Sequence, residues 1–280
     1  MDKNAPLTRL AVFGSPVKHS LSPRIHQLFA KQAGIPVDYE GIEVSADYLS
    51  REVQKLADAG GRGCNITLPL KNRAFALANR ASERATAAQA ANTLIFKTPN
   101  RWFADNTDGP GLVRDLAKNL AIDVHGQRIC VIGAGGAAAG ILYDLLAQKP
   151  ASLTLFNRTV ERARELVDRF RVLSDEAVTL SAAGLDDMRS VAPFDLVVNT
   201  ASTGHFREAP VLTENLFAPH TICYDLSYGT AHEALNKWCG QRGIRCHNGL
   251  GMLVEQAAES FFLWTGFRPD TAPVINALRS

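Results

Sequence analysis

The chain has 280 residues, 46% of them hydrophobic and 21% charged, which predicts roughly two domains with apolar material for a core in each. Thirty basic against twenty-eight acidic side chains leave a formal charge of +2, too weak a field to hold nucleic acid or an anionic membrane. The longest uncharged stretch, 129–143, is interrupted by Gly133, Gly135 and Gly136 and falls short of the ~18–20 apolar residues a bilayer span needs.

Leu10 to Gly14 reads as a buried strand. Ser22-Pro23 then reads as an N-cap with proline at the first helical position, and Ile25, Leu28 and Phe29 mark one face of a helix that Gly34 ends. A strand is expected over 37–44, a helix over 47–59 stopped by Gly60-Gly61, and a further strand over 63–67. Such alternation implies parallel sheet with right-handed crossovers. Residues 93–97 and 102–104 flank the turn signal Thr98-Pro99-Asn100-Arg101 and predict a hairpin. Antiparallel pairing sets the start of one strand beside the end of the other, so Asn92 should meet Asp105-Asn106-Thr107-Asp108, with Lys71 in reach. Each of these polar residues alone is an ordinary turn or cap residue; together they form a candidate site.

A second α/β unit begins at Gln127: strand 129–132, a glycine turn, helix 137–147, strand 152–156 and helix 160–170. Strands over 194–198, 221–226 and 244–247 follow, with a helix over 231–242 between the last two. The helix over 250–264 has no strand partner, so the C-terminal helices are expected to return to the first domain. The expected divisions are 1–107, 108–249 and 250–280.

Gly133-Ala134-Gly135-Gly136-Ala137-Ala138 fits G-x-G-x-x-G/A between a strand and a helix, the context in which that pattern binds a dinucleotide pyrophosphate. Gly133 permits the turn, Gly135 admits close backbone approach, and the helix N-terminus offers N–H groups to phosphate. The next strand ends in Asn157-Arg158-Thr159 with no acid at its tip. A carboxylate there would hold a ribose 2′-hydroxyl and repel a 2′-phosphate, whereas a guanidinium binds the phosphate, so NADP(H) is expected over NAD(H). Arg162, one helical turn on, is placed to cover the adenine or share the phosphate.

The five cysteines (Cys64, Cys130, Cys223, Cys239, Cys246) are odd in number and contain no CxxC, and the seven histidines include no HExxH. Reduced thiols, a cytoplasmic location and no metal are expected. Residues 1–10 carry Asp2, Lys3 and Arg9 and no apolar signal core, so export is not expected.

In chain order, Phe13-Gly14-Ser15-Pro16, His19-Ser20-Leu21-Ser22-Pro23, Asn65-Ile66-Thr67-Leu68-Pro69-Leu70-Lys71, Ala91-Asn92-Thr93, Asp105-Asn106-Thr107-Asp108-Gly109, Gly133 to Ala137, Asn157-Arg158-Thr159 and Gly249-Leu250-Gly251-Met252 resemble the NADP-dependent shikimate dehydrogenase family. The similarity runs over about 9–275, and N-x-T-x-P-x-K joined with D-N-T-D-G is its most specific part. It implies an α/β protein with an N-terminal substrate domain and a Rossmann-like NADP-binding domain. The implied reaction is reversible reduction of 3-dehydroshikimate to shikimate in aromatic amino-acid biosynthesis. It further implies Lys71 and Asp108 as the proton-transfer pair, Ser20 and Ser22 with Tyr228 nearby for the substrate carboxylate, and Thr67, Asn92 and Gln256 for ring hydroxyls. Asn157, Arg158, Thr159 and Arg162 would take the adenosine phosphate, with Glu83, Leu226 and Gly249 also near the cofactor.

The chain departs from many relatives at Ala138-Ala139, where Ser-Arg is common, at His247-Asn248, where an acid often precedes the glycine, and at Ser227. Two other readings share the scaffold: a quinate/shikimate dehydrogenase using NAD, against which Arg158 argues, and a non-catalytic NADP-binding regulator, which would have little need for Lys71, Asp108, Asn92 and Thr67 together. Substrate groups before Asp108 and cofactor groups after it predict chemistry between the domains, with closure around the ligands. The partner is a small molecule, and the assembly a monomer or homodimer.

Overall fold

A computed structural model describes residues 6–201 and 210–279. The chain divides into two compact units, one of residues 1–111 with 253–280 and the other of 112–252. The crossings thus lie at Gly111/Leu112 and Met252/Leu253, where the sequence puts them at 107/108 and 249/250.

The first unit is built on β1 (Thr8–Gly14), β2 (Val37–Glu43), β3 (Gly63–Ile66), β4 (Arg80–Ala81), β5 (Thr93–Thr98) and β6 (Arg101–Asp105), ordered β2-β1-β3-β5-β6-β4. β1 runs parallel to β2 and β3, as strand–helix alternation requires, through α1 (Ser22–Ala33) and α2 (Leu49–Asp58). The hairpin β5–β6 then joins β3 antiparallel, so the sheet is mixed rather than wholly parallel. Short helices α3 (Lys71–Leu77), α4 (Glu83–Ala88) and α5 (Asp108–Arg114) lie at the connections.

Ser22 does not cap α1. It is the first helical residue, Leu21 takes the cap position, and the Ser22 N–H instead donates to Ser20 Oγ at 3.2 Å. Pro23 in the first turn has no N–H to lose there, and Gly34 ends the helix at φ +68°, a left-handed conformation that suits glycine.

Beyond β6 the second unit continues through a π-helical turn, Asp115–Asn119, into β7 (Arg128–Ile132), α6 (Gly136–Ala147), β8 (Ser152–Asn157), α7 (Val160–Arg171), β9 (Thr179–Gly184), β10 (Phe194–Asn199), β11 (Phe217–Asp225), α8 (Glu233–Gly240) and β12 (Arg245–Asn248). All pairings are parallel, in the order β12-β11-β10-β7-β8-β9. The order reverses at β7, so the ends of β7 and β10 flank the crevice where doubly wound sheets bind nucleotides.

The C-terminal helices are α9 (Leu250–Thr265) and α10 (Ala272–Arg279), and nearly all of both belongs to the first unit. Val254, Ala257, Ala258 and Phe261 of α9 and Val274 and Ile275 of α10 bury against Ile25 and Phe29 of α1. Burying a side chain of Ile or Phe size stabilises by about 1.5–3 kcal/mol, so this face is a substantial part of the first unit's core. Trp264 anchors α9 to the sheet by donating from Nε1 to the Leu94 carbonyl at 2.9 Å. Among the described residues no helix is long and apolar enough to cross a membrane.

Candidate functional site

Hairpin register builds the site. Thr93 pairs with Asp105, and the Asn92 N–H extends the ladder to the Asp105 carbonyl at 3.1 Å. Asp105 is then locked: Arg84 grips it with Nε to Oδ1 (2.8 Å) and a second nitrogen to Oδ2 (2.7 Å), while Ser82 donates to Oδ1 at 2.6 Å. Asn106 donates to the Ala90 carbonyl at 3.0 Å. With both predecessors fixed, Asp108 starts α5 in one place, where a carboxylate also suits the positive end of a helix.

Lys71 reaches that carboxylate from the N-terminus of α3. Its own carbonyl accepts from the Ala91 N–H at 2.9 Å, which ties α3 to the residue before Asn92. Lys71 Nζ donates to Asp108 Oδ2, and Asn92 Nδ2 donates to Asp108 Oδ1 at 2.8 Å. Both charged side chains are largely buried, 14% exposed for Lys71 and 9% for Asp108. Low dielectric strengthens such a pair and orients the ammonium, leaving its other N–H directions for a ligand.

The polar network extends from there. Asn92 Oδ1 accepts from the Thr107 N–H at 2.8 Å, and Gln256 Oε1 accepts from Asn92 Nδ2 at 3.0 Å. Gln256 comes from α9, with its Nε2 donating to the Leu253 carbonyl at 3.1 Å. The site thus draws one member from the far end of the chain. Thr67 sits in the turn after β3, its N–H on the Phe13 carbonyl at 2.9 Å. Its methyl fills the space where a Cβ on Gly14 would stand, which explains the glycine.

Ser22 enters through a buried relay, and Ser20 joins it only by accepting from the Ser22 N–H. Ser22 meets the Tyr39 hydroxyl, which donates to Asn65 Oδ1 at 2.7 Å, and Asn65 Nδ2 donates to the Asn92 carbonyl at 3.0 Å. Burial pushes the Tyr39 hydroxyl well above the usual range, so it stays a neutral donor.

Sequence gives Asn65 and Ser260 no role and marks Thr107 only as part of the 105–108 cluster, yet all three are buried in this network. Ser260 accepts from Asn65 Nδ2 at 3.1 Å and lies 2.8 Å from Thr93 Oγ1. A signal for it exists in the sequence: it stands one helical turn after Gln256, on the same face.

In the second unit, Gly133 follows β7 at φ +103°, and a Cβ there would meet Thr200 Oγ1 at 2.6 Å. Around Gly135 the corresponding space is open, as a backbone that must admit a ligand requires. The first backbone bond of α6 runs from the Ala139 N–H to the Gly135 carbonyl at 3.0 Å, so the N–H groups of Gly136, Ala137 and Ala138 have no carbonyl within the helix. Ala134 lies in the turn with them.

Beside it, β8 ends at Asn157, whose Nδ2 donates to the Thr159 carbonyl at 2.8 Å and rigidifies the turn into α7. Arg158 and Arg162 are exposed and have no ion-pair partner among the described residues, although two unpaired cations at a helix start oppose its dipole. Donors at one helix and free guanidiniums at the next fit a pyrophosphate and a 2′-phosphate, so the residues present suit NADP(H).

Of the remaining expected positions, Gly249 is buried against the Leu226 carbonyl and donates its N–H to the Ser227 carbonyl at 2.9 Å, so Leu226 and Gly249 are neighbours. Tyr228 lies beyond β11 in this unit, half-buried, with burial raising its hydroxyl. Glu83 heads α4 in the first unit and is exposed.

The sequence matches the family models for the shikimate dehydrogenase substrate binding domain over 12–94, for shikimate / quinate 5-dehydrogenase over 115–219, and for the shikimate 5′-dehydrogenase C-terminal domain over 249–279. It is 45% identical to the shikimate dehydrogenase (NADP(+)) of Xanthomonas euvesicatoria, covering 98% of this chain and 96% of that protein. Among solved structures, an Ael1 enzyme from Pseudomonas putida superposes with TM-score 0.87 at 38% identity, covering 97% of this chain and 98% of the other. Shikimate 5-dehydrogenase from Thermus thermophilus, in complex with NADP(H) and shikimate, gives 0.83 at 31% identity with the same coverage.

Proposed function

The chain belongs to the shikimate dehydrogenase family, and we propose that it interconverts 3-dehydroshikimate and shikimate with NADP(H), using Lys71 and Asp108 for proton transfer. The observation that carries this reading is the buried Lys71–Asp108 pair within a polar network completed by Asn92 and Gln256.

Bound NADPH would supply the hydride for reduction of the ketone carbon. As the C=O bond becomes C–OH, negative charge gathers on oxygen. The Lys71 ammonium stabilises that charge and gives up a proton to it, and in the reverse direction the neutral amine takes the hydroxyl proton. Asp108 holds the ammonium in place, and Asn92 fixes the far oxygen of that carboxylate. A general acid in this position is worth about 10²–10⁴-fold in rate. Asn92, Gln256 and Thr67 hydrogen-bond the ring hydroxyls, and the Ser20 and Ser22 hydroxyls donate to the carboxylate.

In the second unit, Gly133, Ala134, Gly135, Gly136 and Ala137 carry the pyrophosphate, and Asn157, Arg158, Thr159 and Arg162 the adenosine phosphate. Leu226 and Gly249 would line the remainder of the cofactor. The five free cysteines suit a reducing cytoplasm, where the enzyme works as a monomer or homodimer.

The test is an absorbance assay with shikimate or quinate against NADP+ or NAD+. Rapid turnover of shikimate with NADP+, and much slower turnover in the other three combinations, is expected. Preference for NAD+ or quinate would overturn the substrate and cofactor assignment, and cofactor binding without turnover would overturn catalysis altogether.

A further inference from the structure

Three of the five cysteines converge in the second unit. Cys223 and Cys246 are cross-strand partners in the parallel β11–β12 ladder, so their side chains leave the same face of the sheet. Cys239, from α8, packs onto that face. The three Sγ atoms lie within 4.8 Å of one another. Cys223 and Cys239 are fully buried, Cys246 is half-buried, and the surroundings are Leu235, Phe217, Trp238 and Ile244.

We propose that this trio is a binding site for a single thiophilic divalent cation of the zinc class, held by three thiolates with its fourth position open on the Cys246 side. An ion bonded at about 2.3 Å to each of three sulfurs spaces them roughly 4 Å apart, so the observed cluster needs only a small contraction. Three thiolates on a divalent ion leave a net charge of −1, which a water reaching the half-buried Cys246 solvates. Among the described residues no histidine or carboxylate completes the set, so the fourth ligand is solvent.

The site stands apart from the proposed chemistry, which uses none of these sulfurs, though it ties together the strands that lead into Leu226, Tyr228 and Gly249. The sequence hides it because the three residues come from three separate elements and form no CxxC.

The test uses the full chain, reduced and stripped of metal, titrated with Cd(II). An ultraviolet sulfur-to-cadmium charge-transfer band that saturates at one ion per chain is expected, appearing also when Cd(II) is added to the Zn(II)-loaded chain because the softer ion binds thiolates more tightly. X-ray absorption of the cadmium-loaded wild type should count three sulfurs. No band, or two sulfurs or fewer, would overturn the proposal. In Cys246→Ser, which alters the least buried member, cadmium affinity should fall at least about tenfold, the lower end of the cost of disturbing even the groups behind the ligands. Unchanged affinity in a folded variant would overturn the assignment. Should that variant fail to fold, the sulfur count on wild type decides.

Discussion

Arg158 is exposed and without an ion-pair partner among the described residues, so its removal costs the fold little and the ligand much. A hydrogen bond to a charged group is worth about 1.5–3 kcal/mol, so Arg158→Ala should weaken NADPH binding about 10–100-fold. Binding of NADH, which lacks the 2′-phosphate, should hardly change; calorimetric titration of both cofactors checks the contrast. His26 tells a different story. It stacks on Tyr39 with ring centroids 4.2 Å apart, and burial pushes its imidazole down to about 3 from 6.5. The unfolded chain therefore takes up a proton below pH 6.5 that the folded chain refuses. Stability from this group is fully present above that pH and is lost as pH falls toward the folded value, at about 1.4 kcal/mol per pH unit. Denaturant midpoints measured from pH 7 downward should fall less steeply in His26→Phe than in wild type. Neither His26 nor its relay neighbours Tyr39 and Asn65 could be assigned a place in the site from sequence, because each reads as a core or loop residue until three-dimensional contact joins them.

Elements were legible where apolar runs were long. β1, β7, β8, α6 and α7 lie within a residue or two of expectation, and the antiparallel rule alone puts Asn92 beside 105–108. The short helices α3, α4 and α5 have too few turns to show a periodic face, and β9, Thr-Leu-Ser-Ala-Ala-Gly, is a partly exposed edge strand with little apolar signal. β11 starts at Phe217, earlier than expected, because the polar stretch Pro219-His220-Thr221 interrupts its pattern. The glycine turn after β7 makes a sharper claim. Gly133 combines φ +103° with a Thr200 hydroxyl where a Cβ would go, so Gly133→Ala suffers both backbone strain and a clash. It should lower stability by about 1–3 kcal/mol in denaturant titration and weaken NADPH binding with it. A midpoint equal to wild type would show that the turn does not need its glycine.

At the scale of the whole molecule, the chain passes from the first unit to the second and returns along α9, carrying Gln256 and Ser260 back to the hairpin. The absence of a strand partner after Gly249 foretells that return. By periodicity Gln256 looks like one more polar position on an amphipathic helix; the family resemblance marks it, but its contact with Asn92 could not be read from sequence. Since the dinucleotide binds only the folded chain, it stabilises by mass action, by about 2.7 kcal/mol at 100 times its Kd. Thermal melts should therefore shift upward with NADP+ well before they do so with equal NAD+. In the proposed chemistry, the lysine on α3 and the aspartate on α5, which form a buried ion pair, make up the proton-transfer pair. Its most direct test is the kcat of Lys71→Ala alongside shikimate affinity by calorimetry, since Asp108 keeps its Asn92 hydrogen bond when the lysine is gone. A fall in kcat of about 10²–10⁴-fold with shikimate still bound is predicted, and turnover near the wild-type rate would contradict the claim.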